Sequence, residues 1–102
     1  MARPKKYRFL SPLIKAYFFR PRGVAPAELE IAELRGDELE AMRLCWVEDL
    51  MHEDAAKVMR ISRRTLERAL NSGQRKVADA LLRGKGINIT FPGYVSILKK
   101  GR

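Results

Sequence analysis

The amino-acid sequence predicts a small, mainly helical domain with an extended basic segment in front of it. Three observations lead there. Apolar residues recur at spacings of three and four across residues 63–82, the interval that places them on one face of an α-helix. A shorter run, "HEDAAKVM" at 52–59, precedes that stretch by only three residues. Four of the five prolines (Pro4, Pro12, Pro21 and Pro26) fall in the first 26 residues, where they forbid a long helix. A chain of 102 residues builds a single core, and 46% hydrophobic with 32% charged residues suits a folded domain.

In chain order, residues 1–26 read as an extended arm. Phe9, Leu10, Leu13, Ile14, Tyr17, Phe18 and Phe19 are too apolar to stay in water, so part of the arm is expected to lie on the domain or on a partner subunit. Residues 27–91 form the domain itself. Its first segment, "ELEIAEL", alternates apolar and acidic positions as a short strand. Gly36 ends that strand, and Asp37 with Glu40 three residues on predicts a capping box opening a helix over 38–48. Leu39, Met42, Leu44, Cys45 and Trp46 ride on this helix.

"HEDAAKVM" is the second helix, with acids in its first turn, where the helix dipole favours them, and Ala55 and Ala56 as a face for close approach. Ser62 is a natural N-cap for the third. There Leu66, Ala69, Leu70, Gly73, Val77, Ala80 and Leu81 share the apolar face, with Leu82 beside them as part of a buried anchor. Gly73 in mid-helix costs about 1 kcal/mol against alanine and marks a bend or a tight contact. Gly84 or Gly86 is the expected C-cap. "INITF" at 87–91 reads as a strand that pairs with the one near residues 30–34, giving one short two-stranded sheet. Residues 92–102 are a basic C-terminal tail.

Charge carries the argument toward function. The net charge of +9 and an isoelectric point near 10.2 point to a polyanionic partner, nucleic acid first. Residues 1–22 hold seven basic and no acidic residues, 23–60 four and ten, and 61–102 ten and two. A short helix, a three-residue turn and a longer helix with a basic leading face make the helix-turn-helix pattern. A major groove about 12 Å wide admits one such helix. Arg63, Arg64, Arg68 and Asn71 are the expected base contacts, since arginine pairs with guanine and asparagine with adenine through two hydrogen bonds. Ser62, Thr65, Arg75 and Lys76 are expected on the DNA backbone. Arg3, Lys5, Lys6 and Arg8 form an arm of the kind that enters a minor groove beside a helix-turn-helix.

Other classes are disfavoured. Cys45 and His52 are the sole cysteine and histidine, which excludes an intrachain disulfide and an ordinary zinc site, so no metal or cofactor is expected. A reducing, cytoplasmic setting is the default expectation. No run of about 18 apolar residues offers a membrane span. The carboxylates of residues 28–40 have no accompanying histidine or nucleophile, and no enzyme activity is expected. Trp46, Tyr17 and Phe18 read as core, Cys45 as a buried small hydrophobe, and His52 as a surface residue.

The segments "ELEAMRL", "EDAAKVMRISRRTLERAL" and "RKVADALLRGK", with "ARPKK" and "FRPRGV" ahead of them, resemble a bacterial and archaeal family of basic proteins known as an uncharacterised family with a domain of unknown function and regarded as DNA-binding. The helical part is also similar to region four of sigma factors, a helix-turn-helix that binds promoter DNA. The resemblance implies that fold and DNA binding, and sets Arg63, Arg64 and Arg68 where the sigma recognition helix meets bases. Three positions depart from the pattern. Met51 replaces the usual Ser or Thr cap, Arg60 the usual turn glycine, and Tyr7 a cysteine common in relatives, which leaves the arm without support for a metal role. The sequence thus predicts sequence-specific binding of double-stranded DNA by a transcriptional regulator, expected to act as a homodimer. RNA binding on the ribosome and a protein-interaction module on RNA polymerase are the alternatives.

Overall fold

The computed structural model describes residues 16–91. Strand β1 (Phe18–Phe19) and a 3-10 turn (Pro26–Glu28) lead into β2 (Ile31–Arg35). Helix α1 (Gly36–Met42) comes next without a loop and runs on into a π-helical turn (Arg43–Val47). Helices α2 (His52–Met59) and α3 (Arg63–Arg83) succeed it, and β3 (Gly86–Thr90) closes the sheet. The strand order is β1-β3-β2. β2 and β3 are parallel, from Ile31 opposite Gly86 to Arg35 opposite Thr90, so the three helices form the crossover between them. β1 is antiparallel to β3, with Phe18 opposite Asn88 and Phe19 opposite Ile87.

The expected pairing of the two strands is present, but the sheet has three strands rather than two. The third comes from the end of the arm. Two residues are too few to show a period of two, which is why β1 leaves no pattern in the sequence.

α1 starts at Gly36, and the predicted Asp37–Glu40 capping box is displaced. Arg35, the last strand residue, is the N-cap, and its N–H donates to Glu38 Oε1 at 2.9 Å. Asp37 instead accepts from the Arg35 guanidinium at 3.1 and 2.9 Å. Glu40, fully buried, accepts from Arg43. Because strand passes directly into helix, the cap falls on the strand. In the π-helical turn the Glu48 N–H reaches back five residues to Arg43 O at 2.9 Å. The wider turn changes the angular spacing of the side chains on it from the α-helical one, and Trp46, within the turn and expected in the core, is 51% exposed. Phe18 is also exposed, on the edge strand, while Tyr17 is half-buried and meets the ring of Phe91 edge-on at 6.2 Å.

The core gathers Leu34, Ala41, Leu44, Ala55, Met59, Leu66 and Leu70 from every helix and from β2. Cys45 is buried there as expected, and burial pushes its thiol pKa up. On α3 the buried face is Leu66, Ala69, Leu70, Gly73 and Ala80, with Val77 half-buried. Gly73 marks a tight contact. A Cβ there would lie 3.1 Å from Glu38 Cβ and 3.3 Å from Met42 Cε. Leu81 and Leu82, expected in the anchor, are 76% and 84% exposed. Ala80, on the buried face at the same end of α3, is only 2% exposed. At about 100° per residue Leu81 lies roughly 90° from that face and Leu82 nearly opposite it, so both side chains meet solvent. Among the described residues no helix is long and apolar enough to cross a membrane.

Candidate functional site

The site is built on α3 and the turn that precedes it. α2 ends at Arg60, which takes a left-handed conformation (φ 61°, ψ 44°) and donates its N–H to Ala56 O and Lys57 O. That conformation suits glycine and costs an arginine roughly 1–2 kcal/mol. The Ile61 N–H donates to Ala56 O at 3.0 Å, completing the reversal. Ser62 then caps α3 as the sequence predicts, its Oγ accepting from the Thr65 N–H at 3.0 Å and donating to Thr65 Oγ1 at 2.9 Å. The Ser62 hydroxyl is thereby committed to the cap, in which Thr65 Oγ1 only accepts. Met51, at the head of α2, caps nothing with its side chain.

At about 100° per residue, Arg64, Arg68, Asn71 and Arg75 fall within roughly 60° of one another around α3. All four are exposed, on the side opposite Leu66, Ala69 and Gly73. Arg68, Asn71 and Arg75, with Ser72, line an open depression of about 290 Å³. Among the described residues no carboxylate neutralises Arg64, Arg68 or Arg75, so three full cations stand in a row over about 16 Å of helix.

Two of the predicted contacts lie off this stripe. Arg63 sits some 110° around the helix from its middle, and its Nε donates to Glu67 Oε2 at 2.9 Å. The same oxygen is 3.0 Å from His52 Nδ1, so His52 is a link between α2 and α3 rather than a plain surface residue. Hydrogen bonds from His52 and Arg63 hold the Glu67 carboxyl below its ordinary pKa. Lys76 flanks the other side and turns inward, donating to Glu33 O at 2.8 Å and to Glu38 Oε1 at 2.9 Å. Burial pushes the Glu38 pKa up, but hydrogen bonds from Ser72, the Arg35 N–H and Lys76 outweigh it and hold the carboxyl below its ordinary value. Ser72 donates to Glu38 Oε2 at 2.5 Å. Lys76 is thus consumed in fixing α3 to α1 and β2, a role hidden in the sequence because its partner lies 38 residues away.

Ser72 is the residue of this depression that the sequence reading passes over. Its only signal is its place beside Asn71, one step off the stripe. Arg3, Lys5, Lys6 and Arg8 lie outside the described residues, as does Tyr7.

The chain is similar to proteins of bacteria and archaea that share one designation. A UPF0251 protein of Chlorobium chlorochromatii is 51% identical over 87 residues, covering 85% of this chain and 49% of that protein. A UPF0251 protein of Clostridium novyi is 42% identical over 96 residues, 94% of this chain and 65% of the relative. One from the archaeon Methanocella arvoryzae is 43% identical over 92 residues, 90% of this chain and 55% of the relative. The chain therefore spans about half to two-thirds of the length of these relatives. No solved structure matches it. A family model matches residues 1–97, nearly the whole sequence with its arm, and the chain belongs to that family, described as Protein of unknown function DUF134.

Proposed function

We propose that α2, the turn Arg60–Ser62 and α3 act as a helix-turn-helix of sigma-region-four type, binding double-stranded DNA in a sequence-specific manner as a cytoplasmic transcriptional regulator. The observation that carries this reading is the stripe of Arg64, Arg68, Asn71 and Arg75, exposed along one line of a helix whose opposite face is buried. Acids three or four residues from a cation support a solvated helix by pairing with it. α3 has such pairs in Arg63 with Glu67 and Arg83 with Asp79, but none along the stripe. An uncompensated row of cations beside an asparagine is the equipment for a phosphate-lined groove with base edges at its floor.

Within this reading Arg64, Arg68 and Asn71 take bases and Arg75 takes phosphate. Arg63, held by Glu67, is left to the groove wall. Selection from a random duplex pool, with titration of the selected site, tests it. Arg68→Ala is expected to cost about 1 to 3 kcal/mol and to relax preference at one base position. Arg75→Ala is expected to weaken all duplexes alike and to lower the salt slope by about 1. Equal binding of duplex RNA of the same sequence would overturn the reading in favour of general polyanion binding.

A further inference from the structure

A carboxylate stands among the cations that open α3. At about 100° per residue, Glu67 lies about 60° around the helix from Arg64 and about 40° from Asn71, on the flank of the stripe, and its side chain is 44% exposed. Both of its hydrogen bonds fall on one oxygen, Oε2, which is 2.9 Å from Arg63 Nε and 3.0 Å from His52 Nδ1. Among the described residues no donor reaches Oε1. Asp79, the other carboxylate of α3, differs: Arg83 takes its Oδ1 at 2.8 Å and Lys85 its Oδ2 at 2.6 Å. We infer that Glu67 reads a base, its Oε1 accepting a hydrogen bond from the 4-amino group of a cytosine in the major groove, an assignment that rests on the proposed DNA reading.

An ionised carboxylate only accepts hydrogen bonds, and every phosphate repels it. In a groove it weakens binding to all duplexes, and a base edge offsets that loss only where it presents a donor. Adenine sets the acceptor N7 beside its amino group, whereas cytosine presents its amino group with no acceptor of its own. An acceptor-only side chain therefore favours cytosine. Arg63 from the same helix and His52 from α2 grip Oε2 together, so the carboxylate is held from two elements before a duplex arrives and loses little freedom on binding. These two are positioning residues, and the Arg63 guanidinium also offsets part of the repulsion from the phosphates. The tie between α2 and α3 accounts for Oε2 and leaves Oε1 to the base.

The test repeats the selection from a random duplex pool with the full chain and with Glu67→Gln and Glu67→Ala, then titrates each against the parent's site altered in turn at each preferred G·C pair. The parent is expected to lose about tenfold in affinity at each alteration. Glu67→Ala is expected to lose its preference at one of these pairs and gain none. Glu67→Gln is the sharper variant. His52 and Arg63 both donate to Oε2, so the glutamine oxygen takes that place and its amide nitrogen, a donor, takes the place of Oε1. At the same pair it is expected to reject cytosine and favour a base with an acceptor there, thymine or guanine. A Glu67→Gln profile identical to the parent's overturns the inference, since a side chain that only ties α2 to α3 keeps its acceptor in this variant; a parent site with no preferred G·C pair overturns it too. Both outcomes leave the DNA reading standing. A parent that binds no duplex, or binds all sequences alike, removes the DNA reading and the inference with it. Should Glu67→Ala lower the melting temperature, the Glu67→Gln profile decides.

Discussion

Glu38 is the residue on which the most depends. Its carboxylate is fully buried and takes hydrogen bonds from the Arg35 N–H, Ser72 and Lys76, joining β2, α1 and α3 at one point. Removing one member of such a buried, satisfied group leaves the others desolvated and unpaired. Glu38→Ala is expected to cost about 3 kcal/mol in urea unfolding. The direction of the shift sets the pH dependence. A carboxyl whose folded pKa lies below the ordinary 4.5 contributes stability above that value, and the contribution is lost as pH falls through the folded pKa. Glu67 is shifted the same way from the same ordinary value, and Asp79 is shifted down from 3.8, so its window opens lower. The parent should therefore lose stability more steeply than Glu38→Ala below about pH 4.5, and equal slopes would show that Glu38 is not the group responsible.

At the scale of elements, two backbone positions carry opposite expectations. Gly73→Ala gains about 1 kcal/mol of helix propensity in isolation. Here the added methyl meets Glu38 Cβ at 3.1 Å, on a residue already pinned from three sides, so the substitution is expected to wedge α1 from α3 and lower the melting temperature. Arg60→Gly is expected to do the reverse. It releases a positive φ of 61° and should stabilise by about 1 kcal/mol, roughly 4–8 °C in melting temperature for a domain of this size.

The same scale shows which features are legible in the sequence. α2 over 52–59, the Ser62 cap and the Gly84 C-cap depend on residues within one helical turn, and all are found where local chemistry puts them. The capping box of α1 escapes such reasoning because the strand supplies the cap. Lys76 escapes it for a different reason, because periodicity tells which side of a helix is apolar but not which carboxylate a cation will find 38 residues away. Arg63 and Leu82 are within reach of local reasoning, since Glu67 lies four residues from Arg63 and helical spacing turns Leu82 away from the buried face.

For the whole molecule the governing quantity is a net charge of +9 with an acidic middle. Association with a polyanion should release counterions and weaken steeply with salt. Deleting residues 2–6, which include Arg3, Lys5 and Lys6, is expected to lower the slope of log affinity against log salt while the unfolding midpoint stays put. An unchanged slope would put the arm's cations outside the interface.

The central place of β3 also sets an order of events. Every strand pairing in the described domain involves this strand, the last element of that region to leave the ribosome, and Ile31 meets a partner, Gly86, that lies 55 positions further along the chain. Helices α1 to α3 rest on contacts closer in sequence and can gather first, whereas β1 and β2 wait, each with an unsatisfied edge, for the segment between them. Parallel strand pairing across a separation of that length is slow relative to helix formation. A chain halted before residue 86 would hold the basic helix yet lack the strand that ties the arm to it, and its two open edges would be exposed to pairing with other chains.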